Sequence, residues 1–375
     1  MIKIDEIISV LKKNKIHFVS GVPDSLFKDL CFKFENAYKN NHIVGANEGS
    51  SIGLAIGYHL ATGKIPVVYL QNSGLGNTVN PIISLASNKV YKIPMILIIG
   101  WRGEVKKKIQ IKDEPQHKEQ GIITTKMLNV MNIKFRVIDN NSNFKKIFSL
   151  MRLKSQKLSR PVALLVRKNA FSKTNVVRIK NNNKKLLSRE NALKILIKEL
   201  PKKFPIISTT GMLSRELNEI NIDTNLEKKT FMCVGGMGHA ISIASGIALK
   251  KNKLKVVCLD GDGAITMHLG SLTTSGKIKN IIHIVFNNSA HDSVGGQKTA
   301  SHGVEYYKIA KLLGYKYSLK VKNKKNLVTA INKMMKLKGS CFLEIICSKG
   351  NRDNLTRPKK DMITYKKMFR NFLKK

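Results

Sequence analysis

Short apolar runs rich in β-branched residues alternate with segments of helical length along nearly the whole chain. This alternation predicts parallel β-sheets that are covered by helices on both faces. The predicted strands are 17–21, 43–46, 66–70, 94–99, 134–138 and 161–166 in the first half, and 205–209, 230–233, 255–259, 281–286, 315–319 and 341–347 in the second. The predicted fold class is therefore α/β, with two doubly wound parallel-sheet domains.

A polar segment without periodicity separates the two sets of strands. Residues 172–187 include three consecutive asparagines followed directly by two lysines, and they are the predicted linker. We therefore expect a first domain over residues 1–171 and a second over residues 188–375, the latter with a basic tail beyond Lys349 that ends in a short helix. A chain of 375 residues that is 42% hydrophobic has enough apolar material for two such domains.

The charge of the chain is strongly positive, at a formal +43 from 67 Lys and Arg against 24 Asp and Glu. Such a charge is typical of proteins that bind nucleic acids or anionic membranes. Here the lysines are spread from Lys3 to Lys375, and only 6% of the residues are aromatic, too few for a base-stacking surface. We therefore predict neither a nucleic-acid nor a membrane partner, with a non-enzymatic basic scaffold as an open alternative.

The cysteines and the N-terminus favour a cytoplasmic protein. None of the five cysteines forms a C-x-x-C pair, and three lie in apolar runs, which indicates buried, reduced thiols. The first residues lack the pattern of a signal peptide. No run approaches the roughly 20 apolar residues of a membrane span.

An acidic turn and an amide turn end two neighbouring predicted strands, at Gly261–Gly263 and at Asn287–Asn288. We expect Asp262, Asn288 and the backbone carbonyl of Ala290 to converge on one cation, and oxygen ligands of this kind suit Mg²⁺. The two glycines of the first turn leave room for a diphosphate to approach the backbone, and the following helix offers its N-terminal N–H groups to the anion.

A second element places Glu48 where an apolar strand leads into a helix with a stripe of glycines at positions 49, 53 and 57. The segment Gly235–Ala240 opens another helix with a small-residue face. Taken alone, a glutamate at a helix start most often interacts with the helix dipole.

Together these residues resemble the thiamine-diphosphate-dependent 2-oxo acid decarboxylases, and the closer similarity is to the phosphonopyruvate decarboxylase family. The similarity covers almost the whole chain, through the motifs at 21–26, 71–77, 100–104, 113–117 and 288–297. One departure is Val105 to Lys112, with three consecutive lysines where a shorter, Pro/Gly-containing stretch is expected. The surrounding segment 102–118 is either an active-site loop or a long exposed connection.

The resemblance implies thiamine diphosphate and Mg²⁺ as cofactors. It implies that Glu48 hydrogen-bonds the aminopyrimidine ring, that the Gly235 carbonyl accepts from the amino group of that ring, and that Met237 supports the bent cofactor. The implied diphosphate-binding residues are Thr210, Gly211, Gly261, Asp262, Gly263 and Asn288, and the implied metal ligands are Asp262, Asn288 and Ala290.

Residues on the substrate side follow from the same motifs. A histidine titrates near neutrality, which suits proton transfer, and a guanidinium binds a phosphonate through two hydrogen bonds. The predicted catalytic residues beside Glu48 are Asp24, Ser25, His117 and His291, and the predicted substrate-binding residues are Arg102, Asp292 and Arg357.

The resemblance implies decarboxylation of 3-phosphonopyruvate to phosphonoacetaldehyde and CO₂, in 2-aminoethylphosphonate biosynthesis. The expected assembly is a homodimer or a dimer of dimers with shared active sites. A sulfopyruvate decarboxylase, or another 2-oxo acid decarboxylase, is the alternative of the same class. From a different class, Gly74-x-Gly76 suggests a nicotinamide-dependent dehydrogenase, but the third glycine of that fingerprint is absent.

Overall fold

A computed structural model describes residues 1–106, 109–173 and 186–374. The chain divides into two compact units, Met1–Arg178 and Ile179–Lys375. Most of the predicted linker, residues 172–187, lies outside the described residues, so its limits stay a prediction.

The first unit is built on a six-stranded parallel sheet with the order β2-β1-β3-β4-β8-β7. Its strands are β1 (Val19–Gly21), β2 (His42–Val44), β3 (Val67–Gln71), β4 (Met95–Gly100), β7 (Lys134–Ile138) and β8 (Pro161–Val166), and a hairpin of β5 (Val105–Lys106) and β6 (Ile109–Gln110) follows β4. Its helices are α1 (Ile4–Lys13), α2 (Lys28–Tyr38), α3 (Glu48–Thr62), α4 (Leu75–Pro81), α5 (Pro115–Val130) and α6 (Phe144–Leu158).

The second unit repeats this architecture with the order β10-β9-β11-β12-β16-β15. Its strands are β9 (Ile206–Ser208), β10 (Thr230–Met232), β11 (Val256–Gly261), β12 (Ile281–Asn287), β15 (Tyr317–Val321) and β16 (Cys341–Ile346), with a hairpin of β13 (Ala290–His291) and β14 (Gln297–Lys298). Its helices are α7 (Arg189–Glu199), α8 (Met212–Asp223), α9 (Ala240–Lys250), α10 (Asp262–Met267), α11 (Leu272–Ser275), α12 (Tyr306–Leu312), α13 (Lys324–Lys336) and α14 (Met362–Lys374).

The predicted α/β fold class is confirmed, and each of the twelve predicted strands overlaps a strand of one of the two six-stranded sheets. The two hairpins were missed, because strands of two residues are too short to produce an alternating pattern. Every residue of β4, β8 and β12 is buried, which explains why these strands appear in the sequence as continuous apolar runs.

The C-terminal tail, which the sequence left undefined, packs on the second unit. The ring of Phe369 in α14 lies 5.8 Å from the ring of Phe231, and the Tyr365 hydroxyl donates to the Asn218 side chain at 3.0 Å. Arg352 forms ion pairs with Glu190 of α7 and with Glu219 of α8. The described helices include none that is long and apolar enough to cross a membrane.

The strand order positions the loops that carry the motifs. In each unit the order reverses beside the first strand, between β1 and β3 and between β9 and β11. Loops beyond the carboxyl ends of such strands form the binding crevice of doubly wound sheets. Each of the two units therefore presents its polar motifs at the same edge of its own sheet.

Candidate active site

In the second unit, Asp262 is buried at the start of α10, directly after β11. Its Oδ2 accepts hydrogen bonds from the hydroxyls of Thr299 at 2.6 Å and Ser301 at 2.7 Å. Burial raises the pKa of Asp262 against the opposing effect of these donors. Because both hydroxyls bind the same oxygen, they fix the orientation of the carboxylate.

Asn288 follows β12, the neighbour of β11, as predicted. Its Nδ2 donates to Asp292 Oδ2 at 2.6 Å, and its Oδ1 accepts from the Ala290 amide at 3.0 Å. The backbone amide of Asn288 in turn donates to the Asp262 carboxylate. The structure thus brings together the three predicted metal ligands Asp262, Asn288 and Ala290.

Asp292 belongs to a buried ion network that sequence reasoning missed. Its Oδ2 lies 2.9 Å from Arg189 Nη1, and the same guanidinium binds Glu216 through two further hydrogen bonds of 2.8 and 2.9 Å. Both oxygens of Asp292 also accept from the Gly350 amide. These contacts hold Asp292 against the Asn288 turn, and its predicted role in substrate binding stays a prediction.

Gly263, Met237 and His291 lie side by side. A Cβ at Gly263 would stand 2.9 Å from the His291 ring and 3.3 Å from Met237 Cε, so only glycine fits between them. Burial lowers the pKa of His291 to about 4. The imidazole is therefore neutral at pH 7, which corrects the expectation of a group that titrates near neutrality.

The remaining cofactor candidates surround the same edge. Thr210 and Gly211 follow β9, and Gly211 has a φ of 95°, where a Cβ would stand 3.5 Å from Ser293 Cβ. Gly235 follows β10 in a turn where Gly236 and Gly238 have positive φ angles. Arg357, which was predicted to bind the substrate, lies exposed in the tail between β16 and α14.

In the first unit, Glu48 begins α3 and is 6% exposed. Its Oε2 accepts from Asn77 Nδ2 at 2.8 Å, and its Oε1 lies 2.1 Å from the position that a Cβ at Gly74 would take. Burial raises the pKa of Glu48 despite the hydrogen bond from Asn77. A glycine at position 74 is thus required by the buried carboxyl group.

The substrate-side residues of the first unit form one cluster. Asp24 is completely buried, and its Oδ1 accepts from Gln71 Nε2 at 3.0 Å. Arg102 binds Asp113 through Nε and Nη2, at 2.8 and 2.5 Å, and donates through Nη1 to Ser25 Oγ at 3.2 Å. Five N–H bonds are available on a guanidinium, so these three contacts leave two for an anion.

Asp113 joins His117 to this cluster. Burial by itself raises the pKa of Asp113, but the hydrogen bonds from Arg102 outweigh it and hold the pKa well below its usual value, with a smaller effect from His117. The described part of the segment between Arg102 and α5 is folded against its own ends. The β5–β6 hairpin occupies it, and Gln110 Nε2 donates to the carbonyls of Gly103 and Lys118. Lys107 and Lys108 lie outside the described residues.

The donor sets fit the cofactors that the sequence suggested. A carboxylate, a side-chain amide and a backbone carbonyl form the oxygen environment that Mg²⁺ prefers. A Cβ at Gly261 would meet no atom within 4 Å, which leaves room for a diphosphate against the backbone. In the first unit, a buried carboxyl group with a raised pKa is suited to a hydrogen bond with a heterocyclic nitrogen.

Comparison with known proteins decides the family. The family models described as "Thiamine pyrophosphate enzyme, N-terminal TPP binding domain" and "Thiamine pyrophosphate enzyme, C-terminal TPP binding domain" match residues 4–127 and 210–345. A phosphonopyruvate decarboxylase of Streptomyces viridochromogenes is 30% identical, covering 95% of this chain and 91% of its own. The chain belongs to the thiamine pyrophosphate enzymes.

Two further relatives indicate which kind of thiamine pyrophosphate enzyme this is. A phosphonopyruvate decarboxylase of Streptomyces hygroscopicus is 28% identical, covering 99% of this chain and 94% of its own. A sulfopyruvate decarboxylase of Methanosarcina acetivorans is 26% identical and covers 92% of each chain. The enzyme is thus a decarboxylase of the phosphonopyruvate and sulfopyruvate type. Thiamine diphosphate is its cofactor, and Mg²⁺ is the usual partner of that diphosphate.

The sequence patterns did not reveal three residues that contact the predicted site directly, namely Arg189, Thr299 and Ser301. Each contacts a predicted residue across at least 37 positions of the chain. The only signal for Arg189 was its place in the first turn of a helix, which is a common place for a surface charge. The roles of the individual site residues stay predictions.

Replacing Arg189 by Met is expected to weaken Mg²⁺-dependent binding of thiamine diphosphate by about 10-fold or more, because Asp292 then loses the cation that holds it against Asn288. The substitution leaves two buried carboxylates unpaired, which typically costs about 3–5 kcal/mol of unfolding free energy. Arg189→Lys keeps the charge but cannot bridge both carboxylates, so an intermediate loss is expected. Titration calorimetry measures the affinity.

The matched control is Lys194→Met, because Lys194 lies on the same helix with a side chain that is 58% exposed. Its cofactor affinity should stay within about 2-fold of the wild type, as for most surface substitutions. Wild-type affinity in folded Arg189→Met and Arg189→Lys proteins would contradict the role of the network.

Proposed function

We propose that this enzyme decarboxylates 3-phosphonopyruvate to phosphonoacetaldehyde and CO₂, a step toward 2-aminoethylphosphonate. The observation that carries the proposal is the Arg102 guanidinium, which Asp113 and Ser25 hold at the carboxyl edge of the first sheet with two N–H bonds to spare. A guanidinium fixed in this way suits a phosphonate head group. The similarity to two phosphonopyruvate decarboxylases along nearly their whole length supports the same substrate.

Thiamine diphosphate supplies the electron sink that allows a 2-oxo acid to lose CO₂. The residue proposed to act on the cofactor is Glu48. Since Oε2 is already bound by Asn77, Oε1 is the oxygen available to a ring nitrogen. Burial raises the pKa of Glu48, which favours the protonated form that donates or shares a proton at this atom.

We propose that Asp262, Asn288 and the Ala290 carbonyl hold Mg²⁺. Thr299 and Ser301 orient the Asp262 carboxylate by binding Oδ2, and Asp292 fixes the amide of Asn288 by accepting from Nδ2. Gly211, Thr210 and the backbone around Gly261 and Gly263 are proposed to bind the diphosphate, with Gly235 and Met237 against the rest of the cofactor.

On the substrate side, Asp24, Ser25 and His117 are proposed to bind or protonate the reacting acid. Asp24 is well suited to hold a proton, because burial raises its pKa and its Oδ2 forms no hydrogen bond with the described residues. His291 is proposed as a neutral hydrogen-bonding group beside Gly263, since its pKa lies far below neutrality. Sulfopyruvate, whose sulfonate carries one negative charge, is the alternative substrate for the same residues.

We propose a homodimer or dimer of dimers with shared active sites. Apolar side chains lie exposed on the helices that carry small-residue stripes, with Leu60 of α3 69% exposed and Leu249 of α9 63% exposed. Positions Gly53 and Gly57 of α3 also have open space before them. Smooth apolar faces of this kind favour close packing against another copy of the chain.

Glu48→Gln is expected to reduce decarboxylation by about 10²–10⁴-fold, the usual value of general acid–base assistance. Without cofactor, the same variant should be more stable than the wild type above pH 5. As the pH rises, the unfolded state releases the Glu48 proton before the folded state does, because folding raises this pKa, and stability falls. Steady-state kinetics and thermal unfolding between pH 4 and pH 8 measure the two effects.

The control for Glu48→Gln is Glu119→Gln, an exposed position in α5. It should change neither the turnover nor the pH dependence of the melting temperature. Turnover close to the wild type in Glu48→Gln would refute the proposed role of this carboxyl group.

The substrate assignment predicts that phosphonopyruvate exceeds pyruvate in kcat/KM by about 10³-fold or more, because a site with a cation for a polar group strongly rejects an analogue that lacks it. Sulfopyruvate should be turned over less well than phosphonopyruvate. Arg102→Ala should lower phosphonopyruvate turnover more than pyruvate turnover, whereas Arg136→Ala, at an exposed position of β7, should change neither. A product assay with the three acids measures which of them is the preferred substrate. A preference for pyruvate or sulfopyruvate would exclude the phosphonate assignment.

Shared sites predict complementation between two inactive variants. Glu48→Ala and Asp262→Ala proteins, mixed under conditions of subunit exchange, should recover activity, since a mixed dimer then contains one site with both residues intact. Exchange is followed by native mass spectrometry of isotope-labelled chains. No recovery in a sample with demonstrated mixed dimers would show that each site is built from one chain.

A further inference from the structure

Three chemically reactive side chains lie together inside the second unit, on strands β11 and β12. Cys258, Asp260 and His283 are each 0% exposed. Cys258 is directly opposite His283 in the parallel register, and Asp260 follows on the same face of β11. One ligand atom of each residue lies within 4.8 Å of the other two.

The polar atoms of this cluster lack partners. Asp260 Oδ2 and His283 Nε2 are 3.5 Å apart, and neither forms a hydrogen bond within the described part of the chain. The other oxygen of Asp260 accepts from the Gly261 amide at 3.1 Å. An unsatisfied buried polar atom costs about 1–3 kcal/mol, and a charged one costs more. A further group bound between these two atoms would satisfy both of them.

The histidine ring is held in the orientation that a ligand needs. His283 Nδ1 lies 3.2 Å from the Tyr315 hydroxyl, which in turn lies 2.7 Å from Ser275 Oγ. These contacts occupy Nδ1 and direct Nε2 toward Asp260. Metal-binding histidines typically have their second ring nitrogen fixed by a hydrogen bond of this kind.

We propose that Cys258, Asp260 and His283 bind one divalent transition-metal ion of the Zn²⁺ class. One thiolate, one carboxylate and a neutral imidazole balance two positive charges, so the occupied site is electrically neutral inside the core. The 3.5 Å between Asp260 and His283 is long for a hydrogen bond, but it suits two atoms that each lie about 2.0–2.2 Å from a tetrahedral ion.

The ligand chemistry separates this ion from the Mg²⁺ of the cofactor. Thiolate and imidazole ligands select zinc-like ions, whereas Mg²⁺ prefers oxygen. Without metal the Cys258 thiol keeps its proton, because burial raises its pKa well above the usual value. Metal binding displaces that proton to solvent as the sulfur–metal bond forms. A second thiol, Cys233, belongs to the same core cluster as Cys258.

The placement indicates a structural ion. All three ligands are inaccessible to solvent, so the metal enters during folding. It would tie β11 to β12 just below the turns that carry Asp262 and Asn288. The proposal does not depend on the substrate or on the reaction, and it is tested without measuring activity.

The first test uses the wild-type chain. The protein is unfolded in denaturant with a chelator, refolded with Co²⁺ and freed of loosely bound metal. We expect about one tightly held cobalt per chain, as for a single structural site, together with a thiolate-to-cobalt charge-transfer band in the near ultraviolet. Refolded protein that holds no cobalt and shows no such band overturns the proposal.

The second test assigns the ligands. Cys258→Ser and His283→Asn should reduce the retained metal about 10-fold or more and remove the band or change it. Two variants should keep both metal and band. One is Cys341→Ser, since Cys341 is equally buried in the same sheet but belongs to a different core cluster, and the other is Asp262→Ala, which removes the Mg²⁺ ligand. Retention of the metal by Cys258→Ser, or its loss from Asp262→Ala, contradicts the assignment. Where a variant does not fold, the cobalt content and the charge-transfer band of the wild-type protein decide whether the site binds metal.

Discussion

A carboxylate that leaves water must find hydrogen-bond donors or a counter-charge, and this requirement organises the polar edge of both sheets. Asp262 meets it with two hydroxyls, and Asp292 meets it with Arg189 and Asn288. Asp113 meets it with a bidentate guanidinium. In each case the partner that compensates the buried charge also fixes the orientation of the carboxylate. The contacts that offset the cost of burial therefore also orient the oxygens that could bind a ligand.

Close approach between side chains and backbone is the second constraint on the site. A Cβ at Gly100 would stand 1.5 Å from the Asp24 carboxylate, and a Cβ at Gly74 would overlap Glu48. Gly263 leaves room for a methionine and an imidazole in the same way. These glycines lie at or just beyond the carboxyl ends of strands, because a buried acid can reach the end of a neighbouring strand only where no side chain blocks it.

Burial also gives different pKa values to side chains of the same chemical type. Glu48 and Asp24 are buried acids with raised pKa values, which favours their protonated forms, whereas Asp113 stays ionised because Arg102 binds it. His291 is neutral at physiological pH for the same reason that the pKa values of these acids are raised, namely the cost of a charge in a dry environment. Acid and base roles are therefore distributed by environment and not by residue type.

The sequence by itself determined the strands, the parallel α/β class, and the motifs that follow the strands, whereas the strand order and its reversal points came from the structure. Apolar runs such as 161–166 predict buried parallel strands directly, and Gly261–Gly263 lies beside Asn287–Asn288 because the strands before them pair. Only the tertiary structure decided which partners complete the site. Arg189 lies 103 positions from Asp292, and Thr299 lies 37 from Asp262. Local patterns report periodicity within one element, whereas the partner of a buried charge is set by how distant elements pack, which no local pattern encodes.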